Sequence, residues 1–240
     1  MAPPSDSRRG FIKTALAGAA GLAALRLPLD ARPTEPNGDI EEYRAFLEKY
    51  GVADPPALSA SAPTADNILG PYHRKGAPFR GKVTPPFAPG QVLLIQGRVW
   101  CWATKKPLSH VMVDIWQANH EGRYDHEGPE QEARRGYYGY RIRIVTDETG
   151  WYEYETIHPA PYKAGPSANN PRPSHIHYRV KHAGYKELIT QLYFEGDKFN
   201  ATDGAFKPSL AIKVKQEQVK GQMLETGVFD LILEPEARLA

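Results

Sequence analysis

The sequence predicts an all-β protein, an antiparallel β-sandwich preceded by a short helical and extended N-terminal arm. Three observations carry that prediction. From about residue 91 onward, short β-branched or aromatic runs recur with partial alternation, the pattern of strands buried on one face. The 21 Gly and 22 Pro show no fixed period, which favours many turns over long helices. With 240 residues, 41% of them hydrophobic and 24% charged, the chain has enough apolar side chains for one sizeable core.

Taken in order, the chain opens with Ser7-Arg8-Arg9-Gly10-Phe11-Ile12-Lys13, which resembles a twin-arginine export signal. The Ala-rich apolar run behind it, Thr14 to Leu25, has 12 residues, whereas a membrane-spanning helix needs about 20. Residues 1–31 are therefore expected to be a signal peptide that engages the twin-arginine translocation machinery. The expected destination is periplasmic or extracellular. That stretch holds four basic residues (Arg8, Arg9, Lys13, Arg26) and two acidic ones (Asp6, Asp30), so the net charge of +2 resides in the leader. A neutral remainder carries no strong nucleic-acid footprint. The single cysteine, Cys101, excludes an intramolecular disulfide and a cysteine-based zinc cage.

Residues 32–65 read as a linker, one short helix and an extended arm. Ile40, Tyr43, Phe46, Leu47 and Tyr50 fall at helical spacing, and Val52 to Ala65 is rich in Ala, Pro and Ser. Residues 66–240 are expected to form the sandwich. Strands are predicted at Val92–Trp102, Val111–Gln117, Tyr140–Thr146, Trp151–Ile157, His175–Lys181, Leu188–Phe194, Leu210–Val214 and Gly227–Leu233. Asp147-Glu148-Thr149-Gly150 reads as a hairpin loop between two of them.

Three motifs are set aside. Gly76 to Lys82 matches the first positions of a phosphate-binding loop, but Val83 stands where Ser or Thr would hold magnesium. No Gly-x-Ser-x-Gly nucleophile elbow is present. His120-Glu121 and Asp125-His126, in a Gly-rich loop without a matching helix, read as solvated loop polars.

His175-Ile176-His177 lies inside a predicted strand, where alternation puts both imidazoles on one face about 7 Å apart at Cα. Two neutral imidazoles so placed can chelate one metal ion, although the same spacing also suits a surface or hydrogen-bonded pair. Around them stand Tyr162 after a Pro-Ala-Pro turn, Arg172-Pro173, and Trp116 to Tyr124 running from a buried strand into a loop. Leu69-Gly70-Pro71-Tyr72 precedes these segments and Gln191-Leu192-Tyr193-Phe194 follows them.

In this order the segments closely resemble the intradiol ring-cleavage dioxygenases, which include catechol 1,2-dioxygenases and protocatechuate 3,4-dioxygenases. The resemblance spans residues 65–235. It implies one Fe(III) per chain held by Tyr124, Tyr162, His175 and His177. Fe(III) is a hard ion and phenolate a hard anionic donor, and no carboxylate holds an equivalent position, which argues against a ferrous two-His-one-carboxylate oxygenase. It further implies a catechol-type substrate and O2, with the ring opened between its hydroxyl-bearing carbons to a cis,cis-muconate-type diacid. By the same resemblance, Tyr162 is the ligand that leaves when substrate binds. Arg172 stabilises charge developing on the ring and contacts substrate, a role ranked here above a simple ion pair with a loop. Gln191 lies near the oxygen pocket or serves as a satisfied core amide, Tyr72 lines the substrate entrance or is the packed ring of a Gly-Pro-Tyr turn, and Trp116 belongs to the core. Tyr137, Tyr138, Tyr140, Tyr152 and Tyr154 read as packing residues among the 13 tyrosines.

Two departures from the family pattern stand out. Only one short helix fits the N-terminal region, where catechol 1,2-dioxygenases carry a longer helical segment. Lys163 follows Tyr162 where protocatechuate enzymes carry Pro and then Trp. A homo-oligomer is expected, with a second sandwich chain as a possible partner. The competing readings are a non-catalytic transthyretin-like binding module carrying another metal or none, and a zinc or copper protein that uses only the histidines.

Overall fold

The structure is a computed structural model that describes residues 58–125, 138–163 and 170–236; the expected signal peptide, the linker and the helix over residues 39–50 lie outside the described residues. Among the described residues, ten strands make two sheets. In the first, β1 (Val92–Cys101) pairs antiparallel with β4 (Trp151–Ile157) and parallel with both β9 (Gln222–Val228) and β10 (Leu231–Leu233). β8 (Lys215–Val219) completes that sheet against β9. The second sheet runs β3 (Arg141–Val145), β2 (Met112–Gln117), β5 (His175–Lys181), β6 (Leu188–Phe194), β7 (Ala211–Ile212).

Period-two alternation builds the core between them. Leu93 and Ile95 of β1, Tyr152 and Tyr154 of β4, and Leu231 and Leu233 of β10 face Val113, Ile115, Ile142, Ile176, Tyr178, Val180 and Leu192 of the second sheet. Each such aliphatic side chain taken from water contributes roughly 1.5–3 kcal/mol. The hydroxyls of Tyr154 and Tyr178 hydrogen-bond to each other across the interface, so these two phenols satisfy their polar tips inside an otherwise apolar layer.

The all-β sandwich agrees with the sequence, and four details are corrected. The sheets are mixed: β1–β9, β1–β10 and β6–β7 pair in parallel. The run predicted at Leu210–Val214 is reduced to Ala211–Ile212 after a 3-10 turn at Pro208–Leu210. The run at Gly227–Leu233 divides between β9 and β10, because the Asp230 side chain accepts the Arg98 backbone N–H at 2.8 Å and interrupts the ladder. The β8–β9 hairpin was not anticipated: β8 is exposed at every residue and so shows no alternation, while its Lys220-Gly221 turn uses two positive φ angles.

The Asp147–Gly150 segment is also not a hairpin loop, since it links β3 of one sheet to β4 of the other. Its turn chemistry is as read. Asp147 Oδ1 accepts the backbone N–H of Thr149 and Trp151, but a tight turn does not by itself choose which sheet the next strand joins. Residues 58–65 follow the expected extended course. Thr64 exchanges hydrogen bonds with Ile232 of β10, and Ala65 and Asn67 bond to Thr190 and Ile189 of β6.

Candidate metal centre and active site

The side chains of β5 that alternate with its core residues point out of the sandwich and begin with His175 and His177. Register brings Trp116 of β2 to one side of His177 and Gln191 of β6 to the other. Segment 67–80 and two loops cover this outer face, so both imidazoles are buried there. The first loop delivers Tyr124. Asn119, two residues past the end of β2, accepts the N–H groups of Glu121 and Arg123 on its side-chain oxygen, both at 2.9 Å. Gly122 then takes φ +78°, and a Cβ there would lie 2.6 Å from the Pro161 carbonyl oxygen. Only glycine permits both that conformation and that approach. The second loop delivers Tyr162 and Arg172 together, because each backbone N–H bonds the other's carbonyl.

Four donor atoms converge. Tyr124 Oη is 3.1 Å from His177 Nε2, which is 3.2 Å from His175 Nε2, which is 3.5 Å from Tyr162 Oη. Bonds of about 2.1 Å meeting at tetrahedral or octahedral angles would place neighbouring donors roughly 3.0–3.4 Å apart, so the spacing suits one small cation. The tautomer agrees. His175 Nδ1 lies 2.7 Å from the Pro173 carbonyl oxygen, which can only accept, so the ring proton sits there and Nε2 turns a lone pair inward. Burial, then the nearby Arg172 charge, depresses His175 to about 3. His177 is held well below the usual histidine value by burial and by His175 beside it. Both rings are therefore neutral, as metal ligands must be. Without a cation, burial and the neighbouring Tyr162 push the Tyr124 phenol well above its ordinary value. A multiply charged cation at bonding distance would reverse that preference.

Among the described residues no group of three His, Cys, Asp or Glu could hold a metal ion. Any ion here would therefore rely on phenolic oxygen.

Arg172 lies beside the donors, with Nη1 3.1 Å from His175 Nε2. Its Nη2 donates to Gln191 Oε1 at 2.8 Å and to the Tyr193 hydroxyl at 3.0 Å. The loop ion pair ranked second in the sequence analysis is present as well: Asp203 accepts from Nε and Nη2 at 3.2 and 2.9 Å. Burial works against the Arg172 charge, and the hydrogen bond to Asp203 together with the electrostatic attraction of Tyr162, Tyr193 and Asp203 more than offsets it, so the guanidinium is held firmly protonated. Gln191 is a buried, fully hydrogen-bonded amide, the second of its two readings. It takes the Arg172 and Tyr193 donors on its oxygen and gives its amide to the Ile68 carbonyl. Tyr72 stacks on Tyr124 at 4.1 Å and meets Tyr162 edge-on, half-buried at the rim of the site.

Three features escaped the sequence reading. Trp116 is buried, but on the site's side of the sheet, stacked within 5° of parallel on His177. Asp125 is not a solvated loop polar: it is buried in an ion pair with the buried Arg141, whose Nη1 also holds the Tyr72 carbonyl. The pair anchors the Tyr124 loop to segment 67–80. His126 lies outside the described residues, and His120 and Glu121 are exposed as expected. Asp203 and Asp197, which accepts the Ser174 N–H, had no sequence signal beyond two carboxylates in a turn-rich segment after the Gln191 strand.

A β-sandwich whose outer face gathers two phenols, two imidazoles and a guanidinium defines a narrow class, and comparison with known proteins identifies it. The Dioxygenase_C family, described as "Dioxygenase", matches residues 68–235. The chain is 34% identical to a chlorocatechol 1,2-dioxygenase of Rhodococcus opacus over 82% of this chain and 83% of that one. It is 31% identical to a catechol 1,2-dioxygenase of Acinetobacter baylyi over 90% of this chain and 76% of that one. Among solved structures, the 3-chlorocatechol 1,2-dioxygenase of Rhodococcus opacus 1CP superposes with a TM-score of 0.67 at 27% identity, covering 82% of this chain and 84% of that one. The dioxygenase domain of a carbohydrate-binding fusion protein of Streptomyces sp. SirexAA-E gives 0.60 at 33% identity, covering 72% and 99%. The chain belongs to the intradiol ring-cleavage dioxygenases and is an oxidoreductase of that family. The non-catalytic carrier reading is thereby displaced.

Proposed function

We propose that this enzyme is a non-haem Fe(III) intradiol dioxygenase acting on a catechol-type ring. It opens the ring between the two hydroxyl-bearing carbons, and both atoms of O2 enter a cis,cis-muconate-type diacid. The observation that carries the reading is the convergence of two phenols and two neutral imidazoles, each donor atom within 3.5 Å of the next from Tyr124 through His177 and His175 to Tyr162. The names of the relatives, catechol and chlorocatechol 1,2-dioxygenases, support the substrate class.

Tyr124, Tyr162, His175 and His177 would hold one ferric ion per chain. When bound, the ion supplies Lewis acidity that activates an aromatic diol toward dioxygen. The protein's own residues do the rest. Two phenolates offset most of the ferric charge, and neutral imidazoles complete the set without adding any. Tyr162, whose backbone is bridged to that of Arg172, would accept a substrate proton on its phenolate oxygen. Arg172 turns Nη1 toward the donors and stabilises negative charge on the ring, a preorganised interaction that costs no reorganisation during the reaction. Trp116 fixes the plane of His177 by stacking. Tyr72, against Tyr124, forms one wall of the substrate's approach.

The test is the visible spectrum of purified protein before and after anaerobic addition of catechol. Tyrosinate-to-Fe(III) charge transfer gives a red-brown protein whose band moves to longer wavelength with substrate. A chain that stays colourless after ferric reconstitution overturns the iron assignment.

Export by the twin-arginine machinery to the periplasm or beyond is part of the same proposal and is supported by Ser7 to Leu25 alone. Replacing Arg8 and Arg9 by lysine should retain the protein in the cytoplasm, and normal export of that variant would refute it. Self-association, or recruitment of a second sandwich chain, is read from the mass of the native protein in solution by light scattering.

A further inference from the structure

The Arg172 fork is held along one edge only. Its Nε lies 3.2 Å from Asp203 Oδ2, and its Nη2 is shared among Asp203, Gln191 and Tyr193. Nη1, on the far edge, has one polar contact among those described, His175 Nε2. That atom's lone pair belongs to the cation in the loaded enzyme, which leaves Nη1 directed at the donor cluster with its hydrogens available to substrate. Asp203 is itself fixed. Its backbone carbonyl accepts the Phe206 N–H at 3.0 Å and its Oδ1 accepts the Ala205 N–H at 3.2 Å. Asn67 in turn holds the Ala205 carbonyl at 2.7 Å, and the Phe206 ring packs edge-on against Tyr193. Arg172 and Asp203 are both nearly buried, at 11% and 9% side-chain exposure, so water cannot substitute for the carboxylate.

We propose that Asp203 is a positioning residue for ring cleavage: by clamping the Nε–Nη2 edge of Arg172, it aims Nη1 at the reacting ring. The claim rests on the function proposed above and extends it to a residue outside the ligand set. A guanidinium gripped by a carboxylate through two of its nitrogens keeps its plane, whereas one held only by Gln191 and Tyr193 can pivot about Nη2. Misplacement of a catalytic group by about 1 Å costs on the order of 100-fold in rate. The effect falls on kcat, because substrate is bound chiefly through the metal.

The experiment is a double-mutant cycle on Asp203→Ala and Arg172→Ala, with Asp203→Asn as a milder variant that keeps one acceptor oxygen. In iron-loaded protein, Asp203→Ala should lower kcat by about 100-fold with KM and iron content unchanged, and Asp203→Asn should fall between it and the unmodified chain. The drop should vanish in the Arg172→Ala background, since there is no fork left to aim. An equal drop in both backgrounds, or an unchanged kcat, overturns the proposal. Melting temperatures of the same four metal-free proteins give a second readout, in which the two single losses should exceed the loss of the double variant. If the unmodified chain leaves catechol intact, the substrate reading fails, and the melting cycle then decides whether Asp203 holds Arg172: strictly additive losses overturn that claim.

Discussion

Tyr154 and Tyr178 meet between the sheets, while Tyr124 and Tyr162, delivered by loops, meet on the opposite side of β5 against His177 and His175. Burial pushes the phenols of Tyr124, Tyr154 and Tyr178 well above their ordinary value alike. Resistance to ionisation therefore does not mark the candidate ligand. Partners do. The core pair satisfies each hydroxyl with the other, a closed arrangement with no room for an ion. The outer pair faces imidazole nitrogens whose lone pairs converge, an arrangement completed by a cation. Two sets of similar side chains thus have different chemistry because the pleat turns Tyr178 inward and His177 outward.

That contrast can be broken first at the outer site. His175→Ala should abolish iron binding and colour, and Tyr162→Phe should remove the ligand that gives way. For each, turnover of a catechol should fall by on the order of 1,000-fold, about 4 kcal/mol of barrier. Full turnover by either variant refutes the ligand assignment. Arg172→Ala should keep iron and colour while lowering kcat by about 100-fold or more, and an unaltered rate constant would remove its electrostatic role.

The metal-free protein sharpens the comparison through its acid stability. His175, depressed to about 3 in the fold against 6.5 for a free histidine, and His177, held well below that ordinary value, both refuse protons that the unfolded chain accepts. Their contribution is fully present above pH 6.5 and is lost as pH falls from there toward 3. Chemical unfolding at successive pH values should follow that slope, and a flat profile across the window would contradict neutral, buried imidazoles. At the core pair the smallest change is expected. Tyr154→Phe strips the Tyr178 hydroxyl of its partner and should cost about 1–3 kcal/mol, lowering Tm at about 2–4 °C per kcal/mol. Colour and turnover per folded molecule should stay as they are, and any loss of colour would mean the two faces are not independent.

Much of this was legible in the chain. Strands β4, β5 and β6 coincide with the predicted runs because their inward positions are mostly aliphatic or aromatic. Tyr124, Tyr162, Arg172, His175, His177 and Gln191 were singled out from motifs, and the structure gathers all six at one place. Less visible were features whose logic is pairwise. β8 is polar throughout and takes its conformation from the β9 ladder. Asp125 sits in a loop of polar residues, and only the approach of Arg141 from β3 makes it a buried anion. Trp116 reads as core in any pattern, since burial on the site's face and burial in the sandwich look alike in one dimension.

By itself the sequence determined the all-β class, the alternation that puts His175 and His177 on the same side of a strand, and the residue types able to hold a hard cation. Those are properties of neighbours along the chain, where the two-residue period of a strand acts directly. The tertiary structure decided which strands share a sheet, that β9 and β10 run parallel to β1, and that the Asp147–Gly150 turn crosses between sheets. It also decided that Asp203, 31 positions after Arg172, grips the guanidinium along its Nε–Nη2 edge. Such choices depend on the cost of leaving a buried charge or backbone group unpaired, and that cost exists only once distant segments have closed over one another.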